Sequence, residues 1–124
     1  ERKVFCLVGD GGHQVNIGEI ATAVQENLNI LVILMNSHDY EVIKNIQNAE
    51  YEGRKYYSDI YTPEFSHIAK GHGWFYRKVT GFDSLSNTFS SAMSSNKPAM
   101  IEIDMPTIGP FARAFGGPPV KQED

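Results

Sequence analysis

Four consecutive residues, Gly9-Asp10-Gly11-Gly12, place one carboxylate among glycines directly after the apolar run Val4-Phe5-Cys6-Leu7-Val8. A carboxylate where a buried parallel strand ends, beside backbone that a ligand can approach closely, suits a diphosphate held through a divalent metal. A second apolar run, Ile30-Leu31-Val32-Ile33-Leu34-Met35, ends in Asn36-Ser37-His38-Asp39. Its amide, hydroxyl and backbone carbonyl oxygens are neutral donors of the kind a magnesium-like ion takes alongside a carboxylate. Alone, the glycine tetrapeptide reads as a tight strand-to-helix turn. The second polar cluster, at a matching strand end, turns the reading toward a metal–diphosphate site.

The elements that must position these residues follow from periodicity. Strand-like runs occur at Val4–Val8, Ile30–Met35, Trp74–Val79 and Ala99–Asp104. Ile17, Ile20, Ala21, Val24 and Leu28 recur every three or four residues and predict one apolar helix face between the first two strands. Pro63-Glu64 predicts a helix start with Thr62 as N-cap and Phe65, Ile68 and Ala69 as its buried stripe. Asp83 is placed as the cap of a further helix carrying Leu85, Phe89, Ala92 and Met93, which Asn96-Lys97-Pro98 ends. This alternation predicts an α/β fold: a doubly wound, mostly parallel sheet with helices on both faces. Ligands in such sheets sit beyond the carboxyl ends of the strands, where the topology changes direction. Between them, Tyr40–Tyr61 predicts a short helix to about Asn48, then a tyrosine-bearing loop that could cover a site. Residues 1–106 are read as the domain. The tail from Thr107 to Asp124, rich in Gly and Pro, cannot be regular throughout.

Composition narrows the class. The chain has 124 residues, 41% hydrophobic, with a net charge of −4. That length and apolar content fit one globular domain. The acidic balance argues against nucleic acid as a partner, and no run approaches the roughly 20 apolar residues that span a bilayer. Glu1-Arg2-Lys3 and the short run after it lack the features of a signal peptide. A single cysteine, Cys6, excludes an intrachain disulfide and reads as a small buried hydrophobe in a cytoplasmic protein. A core strand starting almost at the first residue predicts a C-terminal piece of a longer protein.

Gly9-Asp10-Gly11, then Gly18-Glu19-Ile20-Ala21-Thr22-Ala23, then an apolar strand ending in Asn36, resembles the thiamine-diphosphate motif. Asn36 lies 26 positions after Asp10, which agrees with that motif. Pro63-Glu64-Phe65, Ala69-Lys70-Gly71-His72-Gly73 and Pro98-Ala99-Met100-Ile101-Glu102-Ile103 extend the likeness to the acetolactate synthase and pyruvate oxidase group. It covers about Lys3 to Pro106. The resemblance implies that Asp10, Ser37 and the carbonyl of Asp39 are metal ligands. Gly9, Gly11 and Gly12 would form the turn nearest the diphosphate, with Asn36 bracing the second cluster and Tyr40 and Glu41 lining the cofactor or substrate side. The family motif ends in Asn-Asn or Asn-Asp. Ser37 departs from it and offers a weaker, neutral ligand.

The implied cofactors are thiamine diphosphate and Mg2+, serving a 2-oxo acid carboligase or decarboxylase most like acetolactate synthase. The cofactor supplies the carbonyl chemistry, and the protein neutralises the diphosphate, fixes the cofactor's shape and excludes water. The resemblance puts the activating carboxylate on another domain of a neighbouring subunit, so this segment contains no catalytic residue and is expected to be inactive alone. It also implies a homo-oligomer acting on a small 2-oxo acid or aldehyde. Donor, acceptor and any flavin are not legible here.

Other residues carry plainer expectations. His13 reads as a polar surface or supporting group, and His38 as turned away, since nitrogen donors suit magnesium poorly. His67 and His72 read as solvent-facing or core, Glu19 as helix surface or anchor, and Tyr51, Tyr56, Tyr57 and Tyr61 as interface or loop anchors. Two other classes compete. A non-catalytic Rossmann-like nucleotide or phosphate module would want G-x-G-x-x-G and an acidic end to the second strand, and neither is present. A phospho-acceptor domain built on Asp10 would want an acidic pair on one strand end and a lysine on the last strand, and neither is visible.

Overall fold

The computed structural model describes residues 2–109. Four strands, β1 (Val4–Gly9), β2 (Ile30–Asn36), β3 (Phe75–Val79) and β4 (Ala99–Asp104), form one fully parallel sheet in the order β1-β2-β4-β3. The observed strands shift by at most one residue from the predicted runs. Apolar and β-branched residues fill β2 and β4 because helices or loops cover both of their faces.

Successive side chains of β2 enter opposite cores, as the pleat requires. Val32 and Leu34 join Ile20 and Ala23 of α2 (Glu19–Gln25) and Phe65 and Ala69 of α4 (Phe65–Gly71). Leu31 joins Ala92 of α5 (Phe82–Met93) and Met105 of α6 (Met105–Ile108) on the other side. The segments from β1 to β2 and from β2 to β3 advance in one direction and put α2 and α4 on one face. The return from β3 to β4 runs the other way and puts α5 on the opposite face. A single crossover hand requires that arrangement. Exits therefore change faces between β2 and β4, one strand beyond the gap between the two polar clusters.

Several local expectations are corrected. The predicted first helix is two: α1 (Asp10–Val15), which includes Gly11 and Gly12 in its first turn, and then α2. Splitting the helix at Asn16–Gly18 leaves α2 only seven residues long. It buries Ile20 (2% exposed) and Ala23, while Ala21, Val24 (40%) and Leu28 (44%) stay exposed. Leu28 follows Asn27, whose left-handed φ of 48° has already ended the helix. Asp83 caps nothing: α5 starts at Phe82 after Gly81, and Asp83 lies inside the first turn. Of its expected stripe only Ala92 is fully buried, with Phe89 stacked at 5.9 Å on Phe5 of β1. Thr62 is not the cap of α4 either, because that helix begins at Phe65 with no side-chain cap.

The edge strand β1 is covered on one face only. Cys6 and Val8 pack against the α2–α4 core, while Phe5 (49%) and Leu7 (67%) on the other face remain exposed. Tyr51, Tyr56, Tyr57 and Tyr61 are also exposed, as are His67 and His72. Phe111, Phe115 and the remaining tail beyond residue 109 lie outside the described residues.

The rotation of α2 is checked by denaturant unfolding. Ile20→Ala is expected to cost about 2–5 kcal/mol and Val24→Ala no more than about 0.5 kcal/mol. Equal losses at the two positions would contradict the observed helix face.

Candidate functional site

Parallel pairing fixes the site. The register sets Gly9 opposite Met35 and Asn36 opposite Asp104, so β1, β2 and β4 end at one level. Asp10 then follows directly on β1, and Ser37 to Asp39 directly on β2. A cavity of about 350 Å³ opens over these ends, lined by Gly9, Asp10, Gly11, Gly12, Ser37, Asp39 and Tyr40, with Glu41 and Met105 among the rest. Every predicted site residue except Asn36 faces this one space, and Asn36 lies just behind it.

Asp10 is only 2% exposed. Its Oδ1 accepts the Gly11 N–H at 3.0 Å, and its Oδ2 accepts the His38 N–H at 2.8 Å. The second bond ties the two strand ends together across the sheet. Hydrogen bonds to a charged group are worth about 1.5–3 kcal/mol each. Burial raises the Asp10 pKa, while the Gly11 and His38 N–H groups work in the opposite direction. A buried carboxylate whose charge is disfavoured by its surroundings gains from a nearby cation.

The second cluster is a tight turn. Ser37 Oγ donates to the Asp39 carbonyl at 3.1 Å, which places the two expected neutral ligands side by side. His38 sits at the left-handed φ of 62°, a conformation its side chain tolerates only with local support. Its imidazole turns away to pair with the Thr62 hydroxyl, as expected for a group unsuited to the cation.

The loop after α3 (Glu41–Glu50) is fastened to this turn. Tyr40 N–H donates to the Ser58 carbonyl at 2.7 Å, Ile60 N–H donates to the His38 carbonyl at 3.3 Å, and Asp39 bridges Asp59. Lys44 Nζ spans both carboxylates, reaching Asp39 Oδ2 at 2.6 Å and Asp59 Oδ1. These acceptors raise the Lys44 pKa, and Lys44 in turn lowers that of Asp59. Asp39 thus serves twice, its carboxylate toward Lys44 and its carbonyl toward Ser37. The tyrosines expected to anchor the loop do not; backbone bonds and Lys44 do.

Gly11 has a specific steric reason. A Cβ there would overlap the Tyr40 ring, which closes on the Gly11 backbone at the cavity wall. Of the two expectations for His13, the surface one does not hold. It is buried in α1, tilted against Phe65 at 5.6 Å, with Nε2 unpartnered, and burial lowers its pKa. It supports the helix from the core and does not face solvent.

The sequence reading missed the residues behind the turn. Asn36 Nδ2 donates at 2.9 Å to Oε1 of Glu102, a β4 carboxylate only 3% exposed. The Tyr76 hydroxyl donates to its Oε2, and Lys78 Nζ lies 3.3 Å from Oε1 and 3.2 Å from Asp104. One signal was available: a lone carboxylate in the otherwise apolar run Ala99–Ile103.

The donor set is all oxygen. Among the described residues no three His, Cys, Asp or Glu side chains gather as a metal cluster. A cation here would rest on one carboxylate plus neutral oxygens, leaving sites for a ligand's own oxygens, as a hard ion binding a diphosphate demands.

Comparisons with known proteins agree with this geometry. The family described as thiamine pyrophosphate enzyme, C-terminal TPP binding domain, matches residues 1–103. An acetolactate synthase large subunit of Haemophilus influenzae is 32% identical over 109 residues, 85% of this chain and 19% of the relative. The isozyme 3 large subunit of Escherichia coli K12 is 32% identical over 94 residues, 75% of this chain and 16% of that one. The chain thus spans about a fifth of such relatives. A thiamine diphosphate-dependent 4-hydroxybenzoylformate decarboxylase from Rhodococcus jostii shares the fold, with a TM-score of 0.78 at 24% identity over 90% of this chain and 21% of that one. The matched span takes in both strand-end clusters and the sheet that joins them, and the chain belongs to the thiamine pyrophosphate enzyme family as its C-terminal TPP binding domain.

Proposed function

We propose that this domain holds the diphosphate of thiamine diphosphate through Mg2+, in a carboligase or decarboxylase most like acetolactate synthase. The observation that carries the reading is the Asp10–His38 bond, which brings a carboxylate and a turn of neutral oxygens to one cavity. Asp10, the Ser37 hydroxyl and the Asp39 carbonyl would hold the cation. Gly9, Gly11 and Gly12 would let the diphosphate approach the backbone, with the Tyr40 ring closing the wall.

When bound, the cofactor supplies an electron sink for bond cleavage next to a carbonyl. The chain's own contribution is to bind and orient. Asp10 supplies the anionic charge, the turn fixes the direction of the neutral oxygens, and the clamped loop lies beside the site. The whole enzyme would act on a small 2-oxo acid or aldehyde as a cytoplasmic homo-oligomer, with its activating carboxylate contributed from outside this domain. Relatives named acetolactate synthase support the enzyme class.

Titration of the full-length protein with thiamine diphosphate and Mg2+, followed by intrinsic fluorescence, tests the reading. Asp10→Asn removes the one carboxylate of the donor set and is expected to abolish Mg2+-dependent binding; unchanged affinity would defeat the assignment. Ser37→Asp should hold or tighten the Mg2+ midpoint, and a severe loss would remove Ser37 from the ligand set. Gly11→Ala should displace the Tyr40 ring and weaken cofactor binding while Tyr40→Ala/Gly11→Ala recovers part of it. No difference between the single and double variants would show that Tyr40 does not limit the backbone there.

A further inference from the structure

Glu102 is a buried carboxylate that the cation site does not itself use. Removing a charge from water costs several kcal/mol, and apolar residues of similar volume often fill such places at no loss. All its hydrogen-bonding neighbours are donors: the Asn36 amide, the Tyr76 hydroxyl and the Lys78 ammonium. An ionised carboxylate accepts only, so the Asn36 amide must present Nδ2 to it. Its Oδ1 is then left facing the turn, where it accepts the His38 N–H at 3.3 Å. That same N–H reaches Asp10 Oδ2 at 2.8 Å. With the amide reversed, Nδ2 would confront the His38 N–H, donor against donor.

We propose that Glu102 is a positioning residue for the cation-binding turn: by fixing the orientation of the Asn36 amide it holds the His38 N–H on Asp10 and so sets the Ser37 and Asp39 oxygens. The proposal rests on the metal–diphosphate reading for its consequence, though the orienting role stands on the turn alone. Tyr76 and Lys78 hold the carboxylate from its other sides. Burial and the Glu102 carboxylate together raise the Tyr76 pKa, so its hydroxyl remains a donor.

The test compares Glu102→Leu and Glu102→Gln in the full-length protein. Leucine removes the acceptor and keeps the volume. It should raise the Mg2+ midpoint for thiamine diphosphate binding about tenfold, in the range seen for groups supporting metal ligands. Hydrogen exchange at the His38 amide of the ligand-free protein should speed up in parallel. Glutamine keeps an acceptor for Asn36 and should stay within about threefold of the wild type in both readouts. If the Tyr76 hydroxyl left unpaired by leucine prevents folding, Glu102→Leu/Tyr76→Phe removes that donor and carries the same expectation. Val32→Ala, in the same core and outside the network, should lower the melting temperature and leave both readouts unchanged. A leucine variant with wild-type midpoint and exchange overturns the proposal, as does a glutamine variant as impaired as leucine. Absence of Mg2+-dependent binding in the wild type would instead remove the reading beneath it, while the exchange measurement still decides whether Glu102 orients the turn.

Discussion

One hydrogen bond organises this domain: the His38 N–H donates to the Asp10 carboxylate at 2.8 Å across the ends of two parallel strands. It needs Asp10 deep enough to be shielded from water and the β2 turn sharp enough to aim a backbone N–H sideways. The first follows from β1 pairing with β2 from Val4 to Gly9, which delivers Asp10 at the sheet's edge of exit. The second requires His38 at a left-handed φ, for which a side chain pays in local strain. The strain is offset by bonds from every side of the turn: Asp10 and Asn36 on the N–H, Ile60 on the carbonyl, Thr62 on the ring.

Around that bond the fold separates binding from stability. Packing on the two sheet faces supplies the stability, with Leu31, Leu34, Phe65 and Met100 fully enclosed. The polar residues gather at one end, where helices leave and backbone groups are free of the ladder. Asp10 belongs to that polar end. Glu102, 3% exposed and bonded to Asn36, stands at the border between core and site. A wholly apolar β4 would pack as well, yet it would leave the Asn36 amide without its acceptor.

The loop from Tyr51 to Tyr61 adds a second level of order. It makes no core of its own and its four tyrosines face solvent, yet it lies pinned beside the site. The pins are electrostatic and main-chain: Lys44 between two aspartates, a short bridge of Asp39 with Asp59, and the buried Ser58 carbonyl under Tyr40 N–H. Such contacts are individually modest at an exposed surface. Their convergence on the turn that presents Ser37 and Asp39 makes loop and donor turn one unit.

The chain's sequence by itself determined the sheet and most of the residues that line the cavity at its rim. Short apolar runs separated by helical patterning mark the strands of a parallel sheet, and polar clusters at their carboxyl ends share a rim once the strands are parallel. Gly9 to Gly12, Asn36, Ser37, Asp39 and Tyr40 were therefore legible from spacing and from likeness to a known motif. Helix limits were less legible, because the period from Ile17 to Leu28 starts inside the break between α1 and α2 and runs past the end of α2 at Gln25, and periodicity does not record where backbone bonds stop. Tertiary structure alone decided which partners complete the turn. Asp59 and Thr62 fold back onto it from the far end of the loop, and Glu102 meets it only once β4 pairs with β2, while Lys44, five residues from Asp39, needs α3 to aim it; hydrogen bonds between such residues leave no periodic trace in the chain. The burial of His13 was likewise settled by the packing of α1 against Phe65, a contact between residues far apart in sequence.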